Sequence, residues 1–205
     1  MRGARPIVLS TFPCLVASVA RAGPLDYDLF KSLRDPRPDC DRADSFAPQR
    51  VQLRDARGRW NLALLKTARA HVSSTIRGWP GRHQRAFLND GWWNSCRSWI
   101  PARMPARAGV DLGAEYSVGA IAFGSEYQPY YHDRNPSKFT ISVAGEDRVF
   151  REVVRFDDPR DPVKRRRVWE LEPPVVARYV LIDLERSFRG NPRIDELEIY
   201  GDSAE

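Results

Sequence analysis

Histidine and cysteine are scarce in this chain, three of each in 205 residues. His71, His83 and His132 stand far apart, and no HExxH pair, nucleophile elbow or glycine-rich phosphate loop occurs. Metallohydrolase, acyl-transfer and nucleotide-dependent chemistry therefore have no signature here. Two carboxylates, Asp133 and Glu196, are the pair a glycosidase would need, but nothing in their spacing links them. An enzyme is not expected. Long apolar runs are missing as well: no stretch of about 18 uncharged apolar residues occurs, so no membrane span is predicted for the mature protein. Beyond residue 60 there is no helical period between the candidate strands, which argues against a parallel α/β fold.

What is present suffices for one core. Hydrophobic residues make up 42% of the chain and aromatic residues 11%, room for a single domain with flanks. Residues 1–22 read as a cleaved export signal: Arg2 and Arg5 precede an apolar run from Ile7 to Ala20, and Ala20-Arg21-Ala22 has the small-x-small form of a cleavage site. The expected location is secreted, periplasmic or extracellular. No lipoprotein box precedes Cys14, so no lipid anchor is predicted. Loss of Arg2, Arg5 and Arg21, with no acid in the segment, lowers the formal charge from +6 to +3. So mild a positive charge is weak ground for a nucleic-acid partner, and none is expected. Cys40 and Cys96 remain. In an oxidising compartment they would pair, closing a loop worth about 4 kcal/mol in the chain-entropy view, or stay as two separate thiols.

Residues 23–59 form an N-terminal accessory segment broken by Pro24, Pro36, Pro38 and Pro48. Leu25, Leu29 and Leu33 recur at helical spacing, which predicts one short amphipathic helix ending at Asp35-Pro36. From residue 60 to 202 the pattern is strands and turns. Phe139, Ile141 and Val143 alternate with Thr140 and Ser142, placing the apolar set on one face. Further strands are expected at Ala108–Leu112, Val118–Phe123, Val149–Phe156, Arg166–Leu171, Tyr179–Leu184 and Ile194–Tyr200, with a tight turn at Gly113. The fold class predicted is all-β, an antiparallel sandwich.

The pieces NLALLKTARAHVSST (61–75), FLNDG (87–91), SWI (98–100), AGVDLG (108–113), VGAIAFGS (118–125), ARYVLIDL (177–184) and RIDELEIYG (193–201) occur in the order of the discoidin, or coagulation factor 5/8 type C, domain. The chain resembles that family over about 140 residues, from Trp60 to Gly201. The resemblance implies a jelly-roll sandwich of the galactose-binding-like type, without catalysis, that binds ligands through loops at one end. Bacterial members are similar to family 32 carbohydrate-binding modules; animal members bind phospholipid or protein.

The resemblance also implies a structural calcium. Its positions fall on Asp90, in the Asp-Gly turn, and Glu196, with Asp195 giving a carbonyl and Asn94 or Ser98 a side-chain oxygen, a hard-cation donor set. Trp92 and Trp93 follow the glycine directly, a departure from the family spacing. The alternative is that Asp90 only shapes the turn and Glu196 is a solvated strand residue.

The loop Glu126–Arg134 interleaves tyrosines with polar side chains, a composition suited to stacking a sugar's C–H face while satisfying its hydroxyls. In the family fold the loop Arg186–Asn191 lies opposite. A glycan pocket is therefore expected from Tyr130, His132, Arg134, Arg186, Phe188 and Asn191; alternatively Tyr127 and Tyr131 pack inward and Asp133 and Arg134 simply pair to fix the loop. Trp99 and Trp169 are expected in the core; of the adjacent Trp92 and Trp93 one is expected to point inward and the other outward, the outward ring extending a ligand platform or, as is commoner for adjacent aromatics in a sandwich loop, plugging the core. The run Lys164–Arg167 suggests a polyanion contact or a solvated strand start. The partner expected is a glycan or glycoconjugate, with a partner protein on the same loops as the alternative.

Overall fold

The computed structural model describes residues 23–32, 49–79, 81–93, 96–125 and 133–204. The export signal, Cys40, Asn94, Tyr127, Tyr130, Tyr131 and His132 lie outside the described residues.

Among the described residues nine strands follow one another: β1 (Gln49–Arg50), β2 (Trp60–Asn61), β3 (Arg69–Val72), β4 (Trp92–Trp93), β5 (Ala106–Gly124), β6 (Pro136–Ala144), β7 (Arg151–Asp157), β8 (Arg167–Ser187) and β9 (Glu196–Ser203). All pairings are antiparallel. The fold is a β-sandwich, as the sequence predicts, with two long strands serving both layers. The first half of β5 pairs with β3 and with the end of β8, which continues into β6 and β7. Its second half pairs with β9 and with the start of β8, and β9 in turn carries β2.

The expected turn at Gly113 is thus a break in register inside one continuous strand, between Asp111 and Tyr116. Gly113 adopts φ +90°, and a Cβ there would lie 2.8 Å from the Thr67 side chain, so only glycine fits without strain. Asp111 accepts the Gly113 N–H at 2.8 Å and the Thr67 hydroxyl donates to Leu112 O at 2.9 Å, fixing the corner. The strands expected at 166–171 and 179–184 are likewise one. Pro173 and Pro174, which have no N–H for a ladder, sit where β8 bulges between its partners Val118 and Ala120.

Between the layers lies a single apolar core. Phe139, Ile141 and Val143 are fully buried, as their alternation requires. Phe123 and Phe139 meet edge to face at 5.1 Å, and Trp169 stacks on Phe123 at 4.8 Å. Burial of each such ring stabilises the fold by roughly 1.5–3 kcal/mol. Trp99 is core, as expected. Trp92 and Trp93 are both buried, a plug over the core rather than a pair with one outward ring, where β4 pairs with β1.

The accessory segment packs on the sandwich. The predicted helix is a single 3-10 turn, Tyr27–Leu29, with Leu29 exposed. What anchors the segment is Phe30, buried and stacked on Trp60 at 4.8 Å. Lys31 N–H donates to Leu64 O at 2.8 Å and Lys66 N–H to Leu29 O at 2.9 Å. No helix among the described residues is long and apolar enough to cross a membrane.

Candidate functional site

Loops converge at the end of the sandwich where β5 finishes and β6 and β9 begin. Arg134 O accepts the Arg193 N–H at 2.9 Å, and Asn135 O accepts the Phe188 N–H at 2.8 Å, tying 133–135 to 188–193. Asn191 Nδ2 donates to Pro101 O at 2.8 Å, which draws in the segment after Trp99. Beneath these contacts Arg193 and Asp195 form a buried ion pair at 2.9 Å, and the Arg193 guanidinium also donates to Ser125 O. The rim therefore rests on a closed polar layer rather than on mobile loop backbone.

Phe188 stands outward on this base, 51% exposed, with the Arg189 guanidinium 5.3 Å from its ring. Arg134 donates to Asn191 O at 3.2 Å, and its Nε lies 3.5 Å from Asp133. Arg186 points away: its guanidinium is held by Asp157 and by Ser137 Oγ, the latter at 3.3 Å. Of the expected pocket residues, Arg134, Phe188 and Asn191 come together, whereas Arg186 is committed to the β6–β7 side.

A second loop was not flagged for this end by its sequence. Trp79, 50% exposed, follows the positive-φ Gly78, with Arg82 6.0 Å from its ring and His83 edge-on at 6.3 Å. His83 Nδ1 lies 2.8 Å from Ser98 Oγ. Burial, followed by the charges of Arg193, Arg134 and Arg82, pushes its pKa down to about 4, so it is neutral at physiological pH. Those neighbours place the Trp79 loop beside the Arg134 loop. An exposed tryptophan after a glycine is the only sequence signal such a position carries. The rim thus offers two aromatic faces, Trp79 and Phe188, flanked by the guanidiniums of Arg82 and Arg189.

The expected calcium position lies at the same end. Glu196 is fully buried; its Oε1 accepts the Gly91 N–H at 3.0 Å, and its Oε2 has no hydrogen-bond partner. Burial, then the charge of Asp90, raises its pKa well above the usual carboxylate range. Asp90 is pushed up to about 6 by burial, opposed by Arg97. Its oxygens are already engaged, by Trp92 N–H at 3.1 Å and by Arg97 at 3.0 and 2.7 Å. The Ser98 hydroxyl is held by His83, and Asp195, expected to give only its main-chain carbonyl, pairs its carboxylate with Arg193. The ammonium of Lys31 rests on Asn89 O at 3.0 Å and Ala63 O at 3.4 Å. Among the described residues no group of three or more His, Cys, Asp or Glu side chains is placed to hold a metal. The orphaned Glu196 oxygen suits a cation, whereas the Asp90 carboxylate and the Ser98 hydroxyl are engaged within the protein and the expected Asn94 lies outside the described residues.

Elsewhere, a groove of about 690 Å³ runs between residues 49–59 and the outer side of β8 and β9. Arg59 pairs there with Asp55 and Glu170, and Arg166 with Glu198 at 2.7 Å. In the basic run, Arg166 and Arg167 are tied to Glu198 and Asp161, while Lys164 and Arg165 are exposed. Cys96 is half-buried.

No family model matches the chain, and no curated protein matches it. Solved structures do. The family 32 carbohydrate-binding module of Clostridium perfringens NanJ, in complex with galactose, is 18% identical with a TM-score of 0.54, the match covering 65% of this chain and 93% of that one. A further Clostridium perfringens module, CpGH89CBM32-5, in complex with GalNAc-beta-1,3-galactose, is 16% identical with a TM-score of 0.55, covering 66% and 96%. Chitosan-binding module 1 from the chitosanase/glucanase of Paenibacillus sp. IK-5 is 21% identical with a TM-score of 0.54, covering 69% and 98%. The chain shares the fold of the family 32 modules, the discoidin-like, galactose-binding-like sandwich.

Proposed function

We propose that this chain is a secreted, non-catalytic carbohydrate-binding module that holds its glycan at the rim formed by the Trp79, Arg134 and Phe188 loops. The observation that carries the reading is two large aromatic side chains left half-exposed beside guanidiniums on a base cross-linked by main-chain hydrogen bonds. An exposed phenyl or indole ring gives a sugar's apolar face a surface to stack on, and adjacent guanidiniums satisfy the hydroxyls. Structural neighbours solved with galactose and with GalNAc-beta-1,3-galactose, and one described as chitosan-binding, support a glycan as ligand. The export-type N-terminus supports secretion.

Calorimetric titration with galactose, N-acetylgalactosamine and glucosamine oligomers tests the proposal. Binding at millimolar strength or better, about −4 kcal/mol, is expected for one of them. Phe188→Ala should weaken it at least about tenfold, a loss of roughly 1.4 kcal/mol, with an unchanged melt. Equal affinity in Phe188→Ala and Trp79→Ala would overturn the rim as the site.

A further inference from the structure

We propose that Lys31 is the resident cation of the pocket formed by Asn89, Asp90 and Glu196, so that this domain carries its positive charge covalently and takes no calcium. The inference does not depend on whether the rim binds sugar.

Main-chain carbonyls gather round the Lys31 ammonium as they would round a hard cation. Asn89 O lies at 3.0 Å and Ala63 O at 3.4 Å from Nζ, and the Asn89 side chain donates to Ala63 O at 2.8 Å, holding that acceptor in place. An ammonium has three donors and no geometric demand, which suits carbonyls converging from two separate segments. Glu196 is fully buried with one oxygen lacking a hydrogen bond, and a positive charge nearby lowers the cost of its ionised form. Burial lowers the pKa of the Lys31 ammonium, and the charges of Glu196 and Asp90 oppose that shift.

Delivery of the charge is built into the fold. Lys31 is held through its own N–H on Leu64 O, its neighbour Phe30 is buried on Trp60, and Lys66 N–H closes the other side on Leu29 O. Asp90 is meanwhile neutralised by Arg97 at 2.7 Å. A divalent ion entering here would meet two fixed cations in a site of low dielectric, where like charges repel strongly. The accessory segment thus completes the domain electrostatically as well as sterically.

The full chain should show the same melting temperature in chelator and in millimolar calcium, and no sensitised terbium luminescence from the nearby Trp92 and Trp93. Lys31→Met and Glu196→Gln should each lower the melt by about 5 °C, and the double variant by clearly less than the sum, since removing both partners leaves no uncompensated charge. Lys31→Arg should retain most of the stability. If Lys31→Met alone fails to fold, recovery of folding in the double variant supports the assignment, and its failure overturns it. Terbium binding, a calcium-dependent melt in the wild-type chain, or additive effects of the two substitutions would also overturn it.

Discussion

Arg134 reaches across the rim to Asn191 O at 3.2 Å, so the two loops that flank Phe188 are joined by a side chain that also faces solvent. Gly190, with φ +60°, brings the chain close to that guanidinium; a Cβ there would lie 3.5 Å from Arg134 Nη1. Arg134→Ala should cost about 1 kcal/mol of stability, the net value of one such bond. Glycan affinity should fall about tenfold, since both a donor and the loop's geometry are lost. Titration alongside a chemical melt separates the two effects.

Phe30 is the hydrophobic anchor of the accessory segment. Replacing it by alanine removes a buried ring stacked on Trp60 and should destabilise the chain by about 3–5 kcal/mol. Limited proteolysis should then cut first near Tyr27, before any cleavage within β5 or β8. An unchanged proteolysis pattern would show that the segment is not held by this contact.

His83 predicts a pH dependence of definite sign. Its folded pKa is about 4, below the 6.5 of an unperturbed histidine. Between those values the unfolded chain takes up a proton that the folded chain excludes, so stability falls as pH drops from about 6.5 towards about 4. His83→Asn keeps a side chain tolerant of the positive φ at this position and removes the titration. Plots of melting temperature against pH should diverge in that window, with the variant losing less on acidification; parallel curves would contradict the assignment.

Arg193 and Asp195 form the ion pair on which the rim rests. Arg193→Met leaves Asp195 buried without its cation and should destabilise by about 3–5 kcal/mol. Arg193→Met with Asp195→Asn should recover part of that loss, as a chemical denaturation series would show.

Period-two alternation told which face of β6 goes inward, because a half-buried strand has no other way to segregate its side chains. Strand continuity was not legible. Gly113 and Pro173-Pro174 look like chain reversals in sequence, yet here they serve a corner and a bulge within long strands, a choice made by pairing partners far along the chain. The aromatic-polar composition of the rim loops was legible in the sequence; their geometry was not. Arg186 is drawn off by Asp157, a residue on another strand, and the Trp79 loop is tied to the same end by the contact of His83 with Ser98. Lys31 is the extreme case: 58 residues separate it from Asn89, and nothing local distinguishes it from any surface lysine.

Backbone amide chemical shifts, followed while galactose and then glucosamine oligomers are added to the labelled chain, test the central claim most directly. The account predicts saturable shifts centred on Trp79–His83, Asp133–Arg134 and Phe188–Asn191, with the groove lined by Arg59, Glu170 and Tyr200 unmoved. Shifts confined to that groove, or none at the rim with any sugar, would contradict it.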